Sequence, residues 1–448
     1  MAFSDLHFIW IFLPLFFLLY YNGDDRKRDS RLMYLSILFY AIGTWGHPEW
    51  LVVLLLCIII DFYSGRVIES CEKRGFPLAV CVIFHVILLA YFKYLSPSGM
   101  PLAISFYTFQ GLSYLIDVKR RTIPAEKSLL KFGTYMLMFE QLTMGPILRY
   151  DLYSYDFDNR QVNEKKILDG VTTFAIGLGL KVLIANPIGK LWAAVGSIGY
   201  EDVSTPLAWM GIFAYSFQLY FDFYGYSLMA IGIGRMLGFR IPDNFDHPYM
   251  SVTMTEFWRK WHITLGTWFR DYVYIPLGGS RKGAFRTIFN LLIVWILTGI
   301  WHGGHMNFVI WGLVIFVLIV IEKLFIGKFY NRFKFFGHIY MLLAIPLTWA
   351  IFAEEKMDRL AVLFTRLFPF FGQGPWSSFR EDYIKYLKQY GVFFIVCFLF
   401  STWLPANLWK TIKIKLPGLA LVISMILIGI CTYLIYRGSN DSFMYLRF

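Results

Sequence analysis

Along this chain, uncharged runs of span length alternate with short charged stretches. Val203–Phe221, Thr287–Ile321 and Gly391–Trp409 contain no Asp, Glu, Lys or Arg. A helix needs about 20 apolar residues to cross a bilayer. Lipid offers a bare backbone no hydrogen bonds, so runs of this kind are predicted to be helices. They lack the period-2 alternation of a membrane barrel. Shorter apolar segments precede them: Leu6–Tyr21, Leu32–Trp45, Trp50–Tyr63 and Pro77–Tyr94, then Pro101–Ile116, Phe132–Ile147 and Val171–Ile188, each of the last three interrupted by Gly or Pro. Broken helices at membrane depth are tolerated where they line a cavity or are buried in protein. The pattern continues through Pro206–Ile233, Thr287–Trp301, Phe308–Ile321, Ile339–Phe352, Val392–Leu404 and Leu416–Tyr436. It predicts an all-α polytopic membrane protein with roughly 11 to 13 membrane segments, some short, broken or re-entrant. No internal repeat or separable soluble domain is visible, so residues 1–448 read as one membrane domain.

Composition agrees with this pattern. Hydrophobic residues make up 57% of the 448 and charged residues 16%, against roughly 25% charged in soluble domains. The net charge of +12 raises nucleic acid as a partner. However, the cations sit between apolar runs, as in Arg26–Arg31, Lys119–Arg121 and Lys410–Lys415, which is the positive-inside pattern of proteins whose partner is the bilayer. With Arg26–Arg31 inside, simple alternation places Arg66–Arg74 and Lys119–Lys131 inside too, and the N-terminus outside. The first apolar stretch follows an acidic start and lacks a small-residue cleavage site, so it reads as a retained span. Five cysteines without CxxC spacing indicate neither a disulfide framework nor a metal cluster.

Against this apolar background a few polar residues stand out. Thr287–Ile321 carries Trp301-His302-Gly303-Gly304-His305. An ionisable side chain at membrane depth is a functional candidate by default, and histidine suits proton transfer near neutrality. The competing reading is an interfacial histidine capping a helix end. Two histidines three residues apart, with no nearby Cys or acid, make a poor metal site. A second candidate lies in Glu256–Pro276, read as one helix on the membrane surface within the charged region 235–286. Helical spacing gathers Glu256, Arg259, Lys260, Arg270 and Asp271 into an arc of about 120°. His262 falls on the opposite, aromatic side and is expected to point inward. Asp222 is an isolated charge that either orients an imidazole or satisfies a buried arginine or backbone amides. Glu140 is similar and has no evident partner. Gly278-Gly279-Ser280 lacks the strand and helix that phosphate loops need.

Together these stretches resemble the membrane-bound O-acyltransferase family, in its bacterial branch of alginate O-acetyltransferase membrane subunits and D-alanyl transfer proteins of teichoic acid. The resemblance runs through ISFYTFQGLSYLIDV, QLTMGPILRY, YFDFYGYSLMAIGIGRMLGFRIPDNFDHPY, EFWRKWHITLGTWFRDYVYIPLGGSRKG, GIWHG with Trp311-Gly312, and the terminal FMYLRF. It implies a helical body around a central tunnel, with His302 catalytic and His262 the second family histidine. Tunnel-lining or substrate-binding roles are expected for Asp222, Asn290, Trp261, Trp301 and Arg259. No bound cofactor or metal is expected. The donor is expected to be acetyl-CoA, another acyl thioester or an acyl carrier protein on the cytosolic side. The final acceptor is expected to be an exported polysaccharide, reached through an extracytoplasmic acyltransferase partner, with the chain multi-pass in a bacterial cell membrane. YIPLGGSRKG matches the acetylation subgroup, whereas Leu228 matches the D-alanyl proteins and Glu140 replaces a proline common in the acetylation subgroup. Acetyl is the expected cargo and D-alanyl the alternative. A transporter or flippase without acyl chemistry also suits broken helices, but it calls for inverted repeats.

Overall fold

The computed structural model describes residues 2–24, 27–97, 99–370, 381–439, 441 and 443–444. Arg26 of the first basic stretch and the last four residues of the FMYLRF motif lie outside them. Among the described residues the regular structure is helical, with one isolated antiparallel bridge between Phe245 and Trp261.

Among the described residues, eight helices are long and apolar enough to cross a membrane: Pro48–Ser70, Gly75–Leu95, Glu164–Ile198, Gly283–His302, Met306–Arg332, Lys334–Ala353, Asp382–Phe400 and Pro417–Tyr436. Phe8–Tyr21 is a shorter apolar helix. The difference from the expected count has a physical cause. Pro101–Ile116 becomes the helix Ile104–Arg120, which buries Ser105, Thr108, Gln110, Ser113 and Asp117 along with its apolar residues. Phe132–Ile147 becomes two short helices, Leu129–Leu137 and Phe139–Leu142, broken at Met138. These segments are wrapped by protein rather than lipid. By contrast, only 11% of the apolar window of Gly75–Leu95 is buried, as a lipid-facing helix requires.

The chain forms two compact units, one of Met1–Gly177 with Tyr226–Asp243, the other of Leu178–Gly225 with Asn244–Phe448. The first has an aromatic core in which Phe139 packs against Phe3, Phe8, Phe12, Phe16 and Phe39. It also holds a buried pair absent from the sequence reading. His85 Nε2 lies 2.8 Å from Asp61 Oδ1, tying Gly75–Ala90 to Pro48–Ser70.

In the second unit, Gly283–His302 and Met306–Ile321 form a tight hairpin. A Cβ on Gly312 would lie 2.4 Å from the Trp295 carbonyl oxygen, and one on Gly299 would lie 2.5 Å from that of Phe308. Only glycine permits backbones this close, the usual way helices associate in lipid.

The 256–276 stretch departs from the single helix that its periodicity predicts. It divides into Met254–Lys260, Ile263–Phe269 and a π-helical turn Arg270–Tyr274. The Ile263 amide donates to the Asn244 carbonyl at 3.0 Å, and the Asp246 amide donates to the Lys260 carbonyl at 3.0 Å. The extended segment at 244–246 thus takes the backbone groups that would have continued the helix. His262 sits at the break with φ +46°.

Candidate functional site

The WHG helix, Gly283–His302, ends on its own histidine. Gly303 follows with φ −171°, turning the chain out of the helix, and Phe308 packs against the turn. His302 is only 5% exposed. Its ring meets Trp301, Trp311 and Phe352 at centroid distances of 4.7, 5.1 and 5.1 Å, all near perpendicular. Asn307 holds Phe352 in place: its side-chain amide donates to the carbonyls of Ile351 and Phe352 at 3.2 and 3.0 Å. The imidazole therefore sits in an aromatic cage whose walls come from three helices.

His262 is also buried and reaches the same neighbourhood from another element. Its ring lies 4.8 Å from that of Phe223 and 6.3 Å from that of Trp301. Trp301 thus touches both histidines. A second route connects them through indoles: Trp261 packs on Trp349 at 4.9 Å, and Trp349 stacks on Trp311 at 5.8 Å. The left-handed backbone of His262 costs a non-glycine residue of order 1–3 kcal/mol, and such strain gathers at functional positions.

Asn244 determines the tautomer of His262. Its Oδ1 accepts the Thr264 hydroxyl at 2.9 Å and the Thr264 amide at 3.3 Å, so it is an acceptor toward His262 Nδ1 as well, at 3.1 Å. Nδ1 therefore carries the proton, and Nε2 is the acceptor nitrogen of the neutral ring. This segment lies outside the eight candidate spans. Burial pushes the His262 imidazole down from 6.5 to about 3, which keeps it neutral at physiological pH.

The remaining predicted residues are placed as follows. Trp261 and Trp301 join the aromatic cluster. Asp222 is buried and forms an ion pair with Lys181, and its Oδ2 accepts the Met444 amide at 2.8 Å. Lys181 also lies over the Phe443 ring at 4.6 Å. The pair therefore holds the C-terminal segment, the structural role that was one of the two expected for this aspartate, with a lysine where an arginine was expected. Asn290 is fully buried and donates to the Gly279 carbonyl at 3.0 Å. It lies more than three turns before His302, about 18 Å along the axis at 1.5 Å per residue, so it fixes the glycine loop rather than the imidazole. Arg259 is exposed. Glu140 is buried in the first unit, in the turn Phe139–Leu142. His305 is exposed and faces Glu355 at 3.4 Å.

Asn244, Asn307, Trp349 and Phe352 were not singled out from the sequence. Trp349 and Phe352 lie inside an apolar run, where aromatic residues carry no signal. An asparagine in an uncharged run, such as Asn307, is the one trace that could have been followed.

The chain is similar to known proteins over most of its length. A family model described as the membrane-bound O-acyltransferase family matches residues 34–354. A probable alginate O-acetylase of Pseudomonas putida is 36% identical over 404 residues, covering 84% of this chain and 81% of that protein. A peptidoglycan O-acetyltransferase of Helicobacter pylori is 30% identical, covering 80% and 78%. A teichoic acid D-alanyltransferase of Bacillus subtilis is 27% identical, covering 74% and 90%.

Proposed function

Since the chain belongs to the membrane-bound O-acyltransferase family and is a multi-pass O-acyltransferase, we propose that it carries acetyl from a cytosolic thioester across the bacterial cell membrane for O-acetylation of an extracellular polysaccharide. Greater similarity to alginate O-acetylases than to teichoic acid D-alanyltransferases, 36% against 27%, supports acetyl as the cargo. The observation that carries the reading is His302, a buried imidazole caged by Trp301, Trp311 and Phe352.

In this mechanism His302 takes the proton from an acceptor hydroxyl as that oxygen attacks the thioester carbonyl. The C–S bond breaks, and the imidazolium returns its proton to the leaving thiolate. The acceptor is a hydroxyl on an extracytoplasmic transferase, which then esterifies the polymer. General-base help of this kind typically gives 10²–10⁴-fold, and holding the reactants in a dry aromatic site adds the effect of position. Neutral His262 is the second catalytic candidate: its Nε2 accepts a hydrogen bond from a substrate donor. No bound cofactor takes part, because the thioester itself brings the activated acyl group.

The test uses proteoliposomes with the partner transferase and a thioester carrying a labelled acetyl group. His302→Ala is expected to lose about 10²–10⁴ of the transfer rate while still inserting and purifying normally. Full activity would remove His302 from the mechanism. Mass spectrometry of the cell-envelope polymers after gene deletion is expected to show loss of acetyl esters. Loss of D-alanyl esters alone would reassign the cargo.

A further inference from the structure

The second unit contains an apolar groove of about 320 Å³, the lower end of the range for ligand sites. Its walls include Phe213 and Phe217 on one side, Leu342 and Ile345 of Lys334–Ala353 on another, and Phe398 of Asp382–Phe400 on a third. Two of these helices are candidate spans, so the groove is built from segments that meet lipid. Leu342 and Phe398 are 44% and 46% exposed, which makes the groove accessible.

One end of the groove differs in chemistry. His338 lines it and is exposed. Lys334 lies one turn earlier on the same helix face, and Leu342 and Ile345 continue that face away from it. From Lys323 to Ala353 the charged residues are Lys323, Lys328, Arg332 and Lys334, with no carboxylate among them. Glu256, which interacts with His338, is itself bonded to Lys260 at 2.9 Å. Lys334 beside His338 at the end of an apolar slot between spans complements an anionic lipid, whose phosphate favours cations and whose chain favours hydrocarbon.

We propose that this groove binds one acyl chain of an anionic phospholipid, with the lipid phosphate held at the Lys334–His338 end. The site adjoins the aromatic cluster from behind. Phe257 lines the groove and stacks on Trp261 at 5.5 Å, and Trp261 packs on Trp349. A bound chain therefore supports the wall on which the catalytic cage rests.

The protein reconstituted in phosphatidylcholine nanodiscs is labelled with phosphatidylglycerol bearing a photoactivatable acyl chain, and the crosslinks are mapped by peptide mass spectrometry. Crosslinks are expected on Phe217, Leu342 and Phe398, and unlabelled phosphatidylglycerol is expected to compete at least fivefold better than phosphatidylcholine. The double change Lys334→Glu and His338→Glu is expected to abolish that preference. Leu342→Trp, which fills the groove from an exposed wall, is expected to cut groove labelling about tenfold. A thermal midpoint matching that of the unchanged protein shows that each variant is folded. Labelling of Val80, Val86 and Val422, which are also exposed, as strong as that of the groove would overturn the proposal. So would equal competition by the two lipids.

Discussion

Gly303→Ala isolates the geometry of the cage from its chemistry. The glycine has φ −171° and ψ 168°, an extended backbone that alanine adopts without penalty. Any effect must therefore come from the added methyl group. That carbon would stand 2.0 Å from Phe308 Cε2 and 2.2 Å from Cδ2, whereas carbon atoms rest at about 3.5–4.0 Å. Something must yield by about 1.5 Å. Phe308 is 2% exposed and packs on Phe352 at 5.0 Å, and Phe352 in turn packs on His302. The ring cannot swing freely, so the displacement passes to the imidazole. Overpacking of a filled core costs about 1–3 kcal/mol, which a stable membrane protein survives. A misplacement near 1 Å in a catalytic group costs roughly 100-fold in rate. The expected result is a folded protein, with a thermal midpoint lowered by a few degrees and a kcat for acyl transfer reduced about 100-fold. Adding Phe308→Leu, which removes the obstructing ring edge, is expected to restore most of the rate. Wild-type activity in Gly303→Ala would refute the coupling, and so would a double variant no better than the single one.

Two further outcomes follow from His262. Asn244→Ala removes the acceptor shared by three buried donors, and at about 1–3 kcal/mol for each unsatisfied group it is expected to destabilise the protein by at least 3 kcal/mol; a denaturation midpoint within about 1 kcal/mol of wild type would refute that hydrogen-bond set. Burial lowers the His262 pKa from 6.5 to about 3, so below pH 6.5 the unfolded chain binds a proton that the native state refuses. Stability is then full above pH 6.5 and falls as pH drops toward 3, by at most about 1.4 kcal/mol per pH unit. Thermal midpoints between pH 7 and pH 4 are expected to fall less in His262→Asn than in wild type, and equal slopes would exclude His262 as a source of the decline.

Membrane helices are legible from sequence because lipid imposes a single requirement, an uncharged run with its backbone satisfied internally. Thr287–Ile321 met it, and His302 and His305 stood out there because nothing else in the run was ionisable; the WHG motif then singled out His302. The family motifs extended that reading to His262. Elsewhere, properties visible along one segment did not decide the outcome. Ile104–Arg120 has the composition of a weak span, yet it is buried in protein, because other helices rather than lipid cover its polar face. The periodicity of Glu256–Pro276 is that of one helix, but Asn244 and Asp246 take its backbone groups at 260–263 and turn His262 into a left-handed joint. Asp222 was isolated only along the chain. Its partner Lys181 lies forty-one residues earlier and the Met444 amide 222 residues later. Trp349 and Phe352 were hidden among other apolar residues. An aromatic ring facing lipid and one caging a histidine have the same local sequence, and only packing against a distant helix separates them.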